Sequence, residues 1–528
     1  MNQELHNSTS MFTEEHKLFR QGLRDFLDRE VMPNIDKWEE EQRMPKDLWP
    51  KFGEMGYFGL NYPEKYGGID ADFMYSVIFM EEISKCESGG FMILPAVQQY
   101  MASPYIYKHG SEFLKEKYLT KVISGEWICS IGISEPGAGS DVANIQTKAI
   151  REGDHYVVNG SKTFITNGVY GDFVVAVVKT DPEMGAAGVS LLVIDLNSEG
   201  VSRSKLKKLG WHASDTAELA FDNVKVPAEN LIGDEGQGFY YLMGGLQLER
   251  LVGSIAGYAS CEWAIDYTLQ YMSERNVFGR PINKFQVLRH RMAQLISEVE
   301  ANKQFVYHCC RMHNQGEYIV KETSMAKLLS SELAEKVMTQ CLQSFGGYGF
   351  MEEYKMARAY RDCRVGTIGA GTSEVMREII AKMVIDDTSY QRAGSVSSAP
   401  TANKSAEKKV ESKSENQTQS NTNKQKQPVM SFEAVSSAIK EKAAAAKPLG
   451  NTLKFNFGEQ NVLLDGTGDS NVVTTNDATE AQCTVDVSME DLTSMLSGDL
   501  NPMNAFMAGK IKVKGDMSVA MKLGTIMG

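Results

Sequence analysis

Apolar positions recur at the three- and four-residue spacing of amphipathic helices through the first quarter of the chain. "TEEHKLFRQGLRDFLDREVMP" begins on Thr13, a suitable N-cap, and stops at Pro33. "FMYSVIFMEEISK" and "FLKEKYLTKVISG" repeat the period. Beyond residue 130 the pattern changes. "HYVVNGSKTFITNG", "DFVVAVVKT", "GVSLLVIDL" and "AELAFDNVKV" are short Val-, Ile-, Phe- and Thr-rich runs bounded by Gly, Asn and Asp, which predicts strands. The helical period returns from 236 to about 388. Residues 391–428 then hold only Val396 and Val410 as large apolar side chains, too few to offset the entropy of ordering them. After that, "TLKFNF", "NVLLDG", "CTVDVS" and "KIKVKG" alternate with period two, while "MEDLTSMLSG" and "SVAMKLGTIMG" read as helices. The predicted organisation is a helical domain (1–130), a small β domain (131–235), a second helical domain (236–388), a flexible linker (389–428) and a separate α/β domain (429–528).

A length of 528 residues suits three or four domains. The net charge of −13 argues against nucleic acid as the main partner. No run of 18 apolar residues predicts a membrane span, and "MNQELHNSTSMFTEEHK" has neither a signal-peptide core nor the composition of a transit peptide. Eight scattered cysteines, including the adjacent Cys309 and Cys310 but no C-x-x-C, suggest neither a metal site nor a disulfide framework. A reducing cytoplasm is the expected compartment. Seven of the 28 methionines fall in the last forty residues, which suits either core filling or an adaptable apolar wall.

"GGLQLERLVGS" (244–254) poses a question. Leu242, Leu246, Val252, Ile255 and Ala256 keep the helical period, yet Glu249 and Arg250 put two charges within it. Gly245 and Gly253 stand one turn either side of Glu249, and each costs a helix about 1 kcal/mol against alanine. Both glycines are expected to clear space around the carboxylate.

"ISEPGAGSDVANI" (133–145) is a Gly-rich turn that could bring backbone amides to an anion. Val142 occupies the third glycine place of a dinucleotide fingerprint, and no βαβ unit flanks it, so a Rossmann reading is weak. Five motifs in order are more specific: "ISEPGAGSD", "NGSKTFITNG", "RNVFGRPINKFQ", "QSFGGYGF" and "GTSEVMREII". Over residues 8–388 the chain resembles the acyl-CoA dehydrogenase family. The resemblance implies FAD, a homotetramer or a homodimer sharing FAD sites, and an electron-transferring flavoprotein as oxidant. It implies a multidomain fold of an α-helical domain, a barrel-like β-sheet domain and an α-helical bundle. It places Ile133, Ser134, Gly139, Ser140, Phe164 and Thr166 around the isoalloxazine, with Phe164 where the family often has Trp. Arg275, Phe278 and Gln286 would bind the pyrophosphate and adenosine of the partner subunit's FAD, completed by Gln343, Gly346, Gly347, Thr372 and Glu374. Ser140 and Ser214 match positions lining the CoA channel, and Arg250 matches a substrate-side arginine.

One departure from the family matters. Most members carry the catalytic base in a Y-E-G-T loop, whereas this chain reads "TIGAGTSEV", with Gly369 and Ala370 in the Tyr and Glu places. In a subset that includes isovaleryl-CoA and long-chain dehydrogenases the base sits instead on the helix, in the L-E-R-L context of Glu249. Taking an α-proton while hydride leaves the β-carbon needs a carboxylate whose pKa burial has raised towards neutrality. Glu249 is therefore the expected base. The backbone N–H of Ala370 would help polarise the thioester carbonyl, and its small side chain would leave room for a branch. The C-terminal stretch, above all "SGDLNPMNAFMAGKIKVKGD", resembles the sterol carrier protein family, α+β modules for fatty acyl chains, acyl-CoAs or sterols. The expected function is dehydrogenation of acyl-CoA to trans-2-enoyl-CoA with a tethered lipid carrier. An oxidase passing electrons to O₂, or a lipid-binding scaffold that has lost its chemistry, are the alternatives.

Overall fold

A computed structural model describes residues 11–386, 388, 432–445, 448–457, 460–468, 470–496, 511–515 and 519. The chain forms two compact units, Met1–Gln391 and Arg392–Gly528. The predicted linker 389–428, most of the methionine-rich C-terminus and the predicted final helix lie outside the described residues.

In the first unit the Thr13 side chain accepts a hydrogen bond from the His16 amide, and the helix Glu14–Glu30 follows. The helix Phe73–Ser84 matches its predicted run. The segment predicted from "FLKEKYLTKVISG" is helical but passes through a π turn, Lys115–Leu119, before Thr120–Ile123. A further helix, Gly89–Ala96, continues through a π segment, Val97–Ala102, into Ser103–His109. Pro104 lacks the amide an α turn would use there, and the Ser103 amide donates to the Gln98 carbonyl instead.

The middle of the unit is a sheet. Its strands are β1 (Cys129–Gly132), β2 (Lys148–Glu152), β3 (His155–Thr166), β4 (Phe173–Lys179), β5 (Val189–Asp195), β6 (Val201–Lys205), β7 (Thr216–Pro227) and β8 (Leu231–Ile232). The order is β6-β7-β3-β2-β4-β5-β8, with β1 parallel to β4 off this path. Every residue of β4 is buried. Phe173, Val175 and Val177 face one core and Val174, Ala176 and Val178 face another, which is why this strand reads as unbroken apolar sequence. β2 and β6 escaped sequence reading because they are mostly exposed and polar, each a short strand on a long partner.

Three long helices complete the unit: Gly238–Glu274 (37 residues), Gln286–Asn314 and Val320–Phe345. The first packs along the last, and at Gly257 a Cβ would stand 3.0 Å from the Ser330 Cβ. Buried acids between the helices are paired. Arg20 bridges Glu81 and Glu82, the Tyr258 hydroxyl donates to Glu81 at 2.7 Å, and Lys303 holds Glu262 at 2.7 Å.

The second unit is a five-stranded sheet. β9 and β10 are a short pair, Asn276–Val277 with Arg280–Pro281, in the first unit. The second unit's strands are β11 (Thr452–Asn456), β12 (Asn461–Asp465), β13 (Val472–Thr475), β14 (Cys483–Val487) and β15 (Ile511–Gly515), in the order β13-β12-β11-β14-β15. Only β13, half-polar and exposed, lacked a sequence signal. Helices Phe432–Ala445 and Met489–Leu496 contribute Val435, Ile439 and Leu492 to a core shared with Leu453, Phe455 and Val485.

Candidate active site

Glu249 lies in the long helix Gly238–Glu274 and is 5% exposed. The Tyr105 hydroxyl, reaching in from the helix Ser103–His109, donates to Glu249 Oε1 at 3.0 Å. Burial pushes the carboxyl up to about 7, against the lowering pull of the Tyr105 hydrogen bond and the Arg250 charge. A carboxyl in that range is partly ionised at neutral pH and basic enough to accept a proton.

The two helix glycines serve different ends. At Gly245 a Cβ would stand 2.2 Å from the Tyr105 hydroxyl oxygen, so this glycine admits the phenol that reaches Glu249. Gly253 is exposed and a Cβ there meets no atom within 4 Å. Only one of them clears space at the carboxylate, and it does so through Tyr105.

Arg250 is 6% exposed and points towards the loop before the helix Ser373–Val384, where a Cβ on Gly371 would stand 3.8 Å from its Nη2. Ala370 (φ +52°) and Gly371 (φ +95°) both take left-handed backbone, which costs a non-glycine residue strain unless the surroundings fix it. Lys327, 4% exposed, fixes this loop by donating to the Gly371 carbonyl. Burial, then the Arg250 charge, depress the Lys327 ammonium to about 8. Thr372 caps the following helix by accepting from the Val375 amide at 3.3 Å, and Glu374 is exposed on its first turn.

The loop 133–140 rests on a buried ion pair that sequence reading missed. Lys162, fully buried in β3, donates to Glu135 Oε1 at 2.8 Å and to the Ile133 carbonyl at 3.2 Å. Glu135 also accepts from the amides of Gln146 (2.6 Å) and Thr147 (3.0 Å). The Ser134 carbonyl accepts from the Thr163 amide at 2.9 Å, which ties the loop to β3. Gly139 and Ser140 are exposed. At the β3 bulge Phe164 takes φ +63° and is 71% exposed, while Thr166 closes the strand half-buried. Lys162 sat unremarked inside "NGSKTFITNG"; an inward lysine at a strand position of apolar alternation was the available signal.

Ser214, expected along the CoA channel, is enclosed by its own turn. It is fully buried, its hydroxyl donates to the Trp211 carbonyl at 2.8 Å and accepts from Lys208 at 2.5 Å, and these bonds hold the turn together.

Farther along, a surface groove of about 560 Å³ gathers Arg275, Gln343, Gly346 and Gly347. Gly346 ends the helix Val320–Phe345 at φ +60°, ψ −136°, backbone essentially confined to glycine. The Arg275 guanidinium stacks 5.5 Å from the Tyr348 ring centre. Phe278, 94% exposed, and Gln286, exposed at the start of Gln286–Asn314, do not line this groove.

The chain matches the N-terminal (residues 13–126), middle (130–224) and C-terminal (236–385) domain models of acyl-CoA dehydrogenases. The long-chain specific acyl-CoA dehydrogenase of Rattus norvegicus mitochondria is 37% identical over 383 residues, 72% of this chain and 88% of the rat protein. The chain belongs to the acyl-CoA dehydrogenase family. Among solved structures, an acyl-CoA dehydrogenase from Geobacillus kaustophilus is 44% identical with a TM-score of 0.70, covering 71% of this chain and 99% of that one. A glutaryl-CoA dehydrogenase from Mycobacterium smegmatis, in complex with FADH2, is 25% identical with a TM-score of 0.69, covering 74% and 99%. Residues 432–528 match the SCP-2 sterol transfer family. The dehydrogenase is therefore FAD-dependent and carries a lipid-binding module.

The first unit's residues fit that cofactor. A bare, left-handed Gly346 beside Arg275 makes a cradle for an anionic group, and Phe164 presents an exposed aromatic face next to a loop with open backbone at Gly139. Among the described residues no group of His, Cys, Asp and Glu is arranged to hold a metal, and no helix is long and apolar enough to cross a membrane.

Proposed function

We propose that this enzyme dehydrogenates an acyl-CoA thioester at Cα–Cβ with Glu249 as the base. The carrying observation is a buried carboxyl, raised to about 7, in a chain whose loop position holds Ala370. Bound FAD supplies the acceptor for the hydride that leaves Cβ. Glu249 takes the proton from Cα, giving the trans-2-enoyl thioester. Oε1 is engaged by Tyr105, which leaves Oε2 as the atom that receives the proton. The Ala370 amide, held in its left-handed turn by the Lys327–Gly371 bond, donates to the thioester oxygen as negative charge develops there. Arg250, beside both Glu249 and the loop, favours the ionised carboxylate against burial and adds positive potential on the substrate side.

Ile133, Ser134, Gly139, Ser140, Phe164 and Thr166 would hold the flavin ring. Arg275, Phe278, Gln286, Gln343, Gly346 and Gly347, with Thr372 and Glu374, would hold the remainder of a partner subunit's FAD, in a homotetramer or homodimer. Electrons pass on to an electron-transferring flavoprotein in the cytoplasm. The four domains at 1–130, 131–235, 236–388 and 429–528 act as one oxidising body and a lipid carrier, joined by the linker at 389–428. Glu249→Gln tests the reading. FAD content and acyl-CoA binding should persist while anaerobic bleaching of the flavin by substrate slows by about 10²–10⁴-fold. Bleaching near the wild-type rate would place the base elsewhere.

A further inference from the structure

Resting on the reading of Glu249 as base, we propose that Tyr105 is a positioning residue that fixes the Glu249 carboxylate and sets the pH above which it can take a proton. The Tyr105 ring is 3% exposed and its hydroxyl has two acceptors in range, Glu249 Oε1 at 3.0 Å and the Leu242 carbonyl at 3.5 Å. A phenol has one proton to donate, and the shorter, charge-assisted bond takes it. The geometry is built from three directions. The π segment Val97–Ala102 and Pro104 set the turn from which Tyr105 projects. The Ser103 hydroxyl, bonded to Tyr62 at 2.7 Å and to the Gln98 carbonyl at 2.5 Å, anchors the residue two before it. Gly245 supplies the gap, since a Cβ there would lie 2.2 Å from the phenol oxygen and 2.4 Å from Cζ.

The charged and titratable groups around the pair are few. Among the described residues Glu249 faces Tyr105 from the helix Ser103–His109 and Arg250 from its own helix. From Val320–Phe345, Lys327 faces Arg250 rather than Glu249. Burial and the neighbouring Glu249 hold the phenol well above its ordinary range, so it remains a donor at every working pH. A donor that never ionises favours the carboxylate over the carboxylic acid without neutralising it. Burial alone would hold the carboxyl protonated to a higher pH; a full cation would make it too weak a base. The phenol stands between these extremes.

Tyr105→Phe tests this, read by stopped-flow flavin reduction across pH 5.5–9.5 on the FAD-loaded protein. A hydrogen bond to a charged group, removed here, corresponds to an upward shift of about one pH unit in the apparent pKa of the reduction rate. The rate should fall about tenfold on the acidic side and converge on the wild-type rate at the alkaline end. A merely structural role would lower the rate equally at all pH values, and an unmoved pKa overturns the inference. Incorporation of 3-fluorotyrosine at 105 keeps the ring and strengthens the donor, and should move the pKa down; a shift upward or none also overturns it. Glu249→Gln separates the two readings. If that variant keeps the wild-type rate and pH profile, the base assignment itself fails. If it abolishes reduction while Tyr105→Phe leaves the profile alone, only the role of Tyr105 fails.

Discussion

Two buried glutamates in this chain have opposite fates. Glu135, 7% exposed, sits under the loop 133–140; burial would raise it, but Lys162 and the amides of Gln146 and Thr147 outweigh that and hold it below the usual carboxylate range. Glu249, 5% exposed, meets one phenol and an arginine on its own helix, and burial wins. The same side chain at nearly the same exposure is a fixed anion in one place and a carboxyl poised near neutrality in the other. What differs is the number of donors aimed at it. Glu135 is saturated with donors, whereas Glu249 meets the Tyr105 hydroxyl at one oxygen.

The largest effect should come from breaking the poised member. Glu249→Gln should cost flavin reduction the upper part of the 10²–10⁴-fold range, because proton and hydride departure are coupled. Adding Ala370→Glu should restore part of the rate on straight-chain thioesters and less on branched ones, where the new side chain fills the space beside Cα. Single-turnover measurements on both variants check this.

Breaking the saturated member should act on folding instead. Glu135→Gln leaves the fully buried Lys162 without its anion, a change worth about 3–5 kcal/mol. FAD should be lost more readily and Tm should drop, yet the reduction rate of molecules still holding FAD should stay within a few-fold of wild type. Replacing both partners together, Glu135→Leu with Lys162→Met, should recover much of that stability. Equal loss in the single and double variants would mean that the pair is not what holds the loop.

The pH dependence of stability separates the two residues by sign. Glu249 rises from its ordinary 4.5 to about 7 on folding. Between these values the unfolded chain has released a proton that the folded chain retains, so stability falls as pH rises from about 4.5 to 7 and is flat above. The loss is on the order of 3 kcal/mol. Glu249→Gln should therefore melt higher than wild type at pH 8 and about equally at pH 4. Glu135, lowered on folding, contributes in the opposite direction: its stabilisation is present above the unfolded value and is lost as pH falls through the folded one.

The poised carboxylate was legible in the sequence, and the saturated one was not. Glu249 stands where a helical period calls for an apolar residue, and Ala370 vacates the usual acid position, so two distant anomalies agree. Lys162 and Glu135 break no motif; each lies inside a recognised run, and their pairing depends on how β3 meets the loop in three dimensions. In the first unit the strands read correctly, β3, β4, β5 and β7, are the long ones; of those missed, β2 and β6 are mostly exposed and owe their place to long partners, and β1 and β8 are too short to show a pattern. Tyr105 was hidden for another reason: the turn that aims it is a π segment, and local sequence carries no regular period for that geometry. For Ser214 a match of position leaves out which neighbour takes the hydroxyl.

The smallest predicted effect lies in the glycines that first marked the helix. In a helix interior, glycine costs about 1 kcal/mol relative to alanine whatever surrounds it. At Gly253 nothing lies within 4 Å of the added methyl, so Gly253→Ala should raise stability by up to about that amount. At Gly245 the same methyl lands on the Tyr105 hydroxyl, and either the phenol swings off Glu249 or the two helices part. Gly245→Ala should thus lower Tm and also move the pH profile of flavin reduction upward, as Tyr105→Phe does. Thermal melts and rapid-mixing profiles on the two variants decide the matter. If both alanines simply stabilise the protein, the gap at Gly245 is not what admits the phenol, and the contact between Tyr105 and Glu249 needs another support.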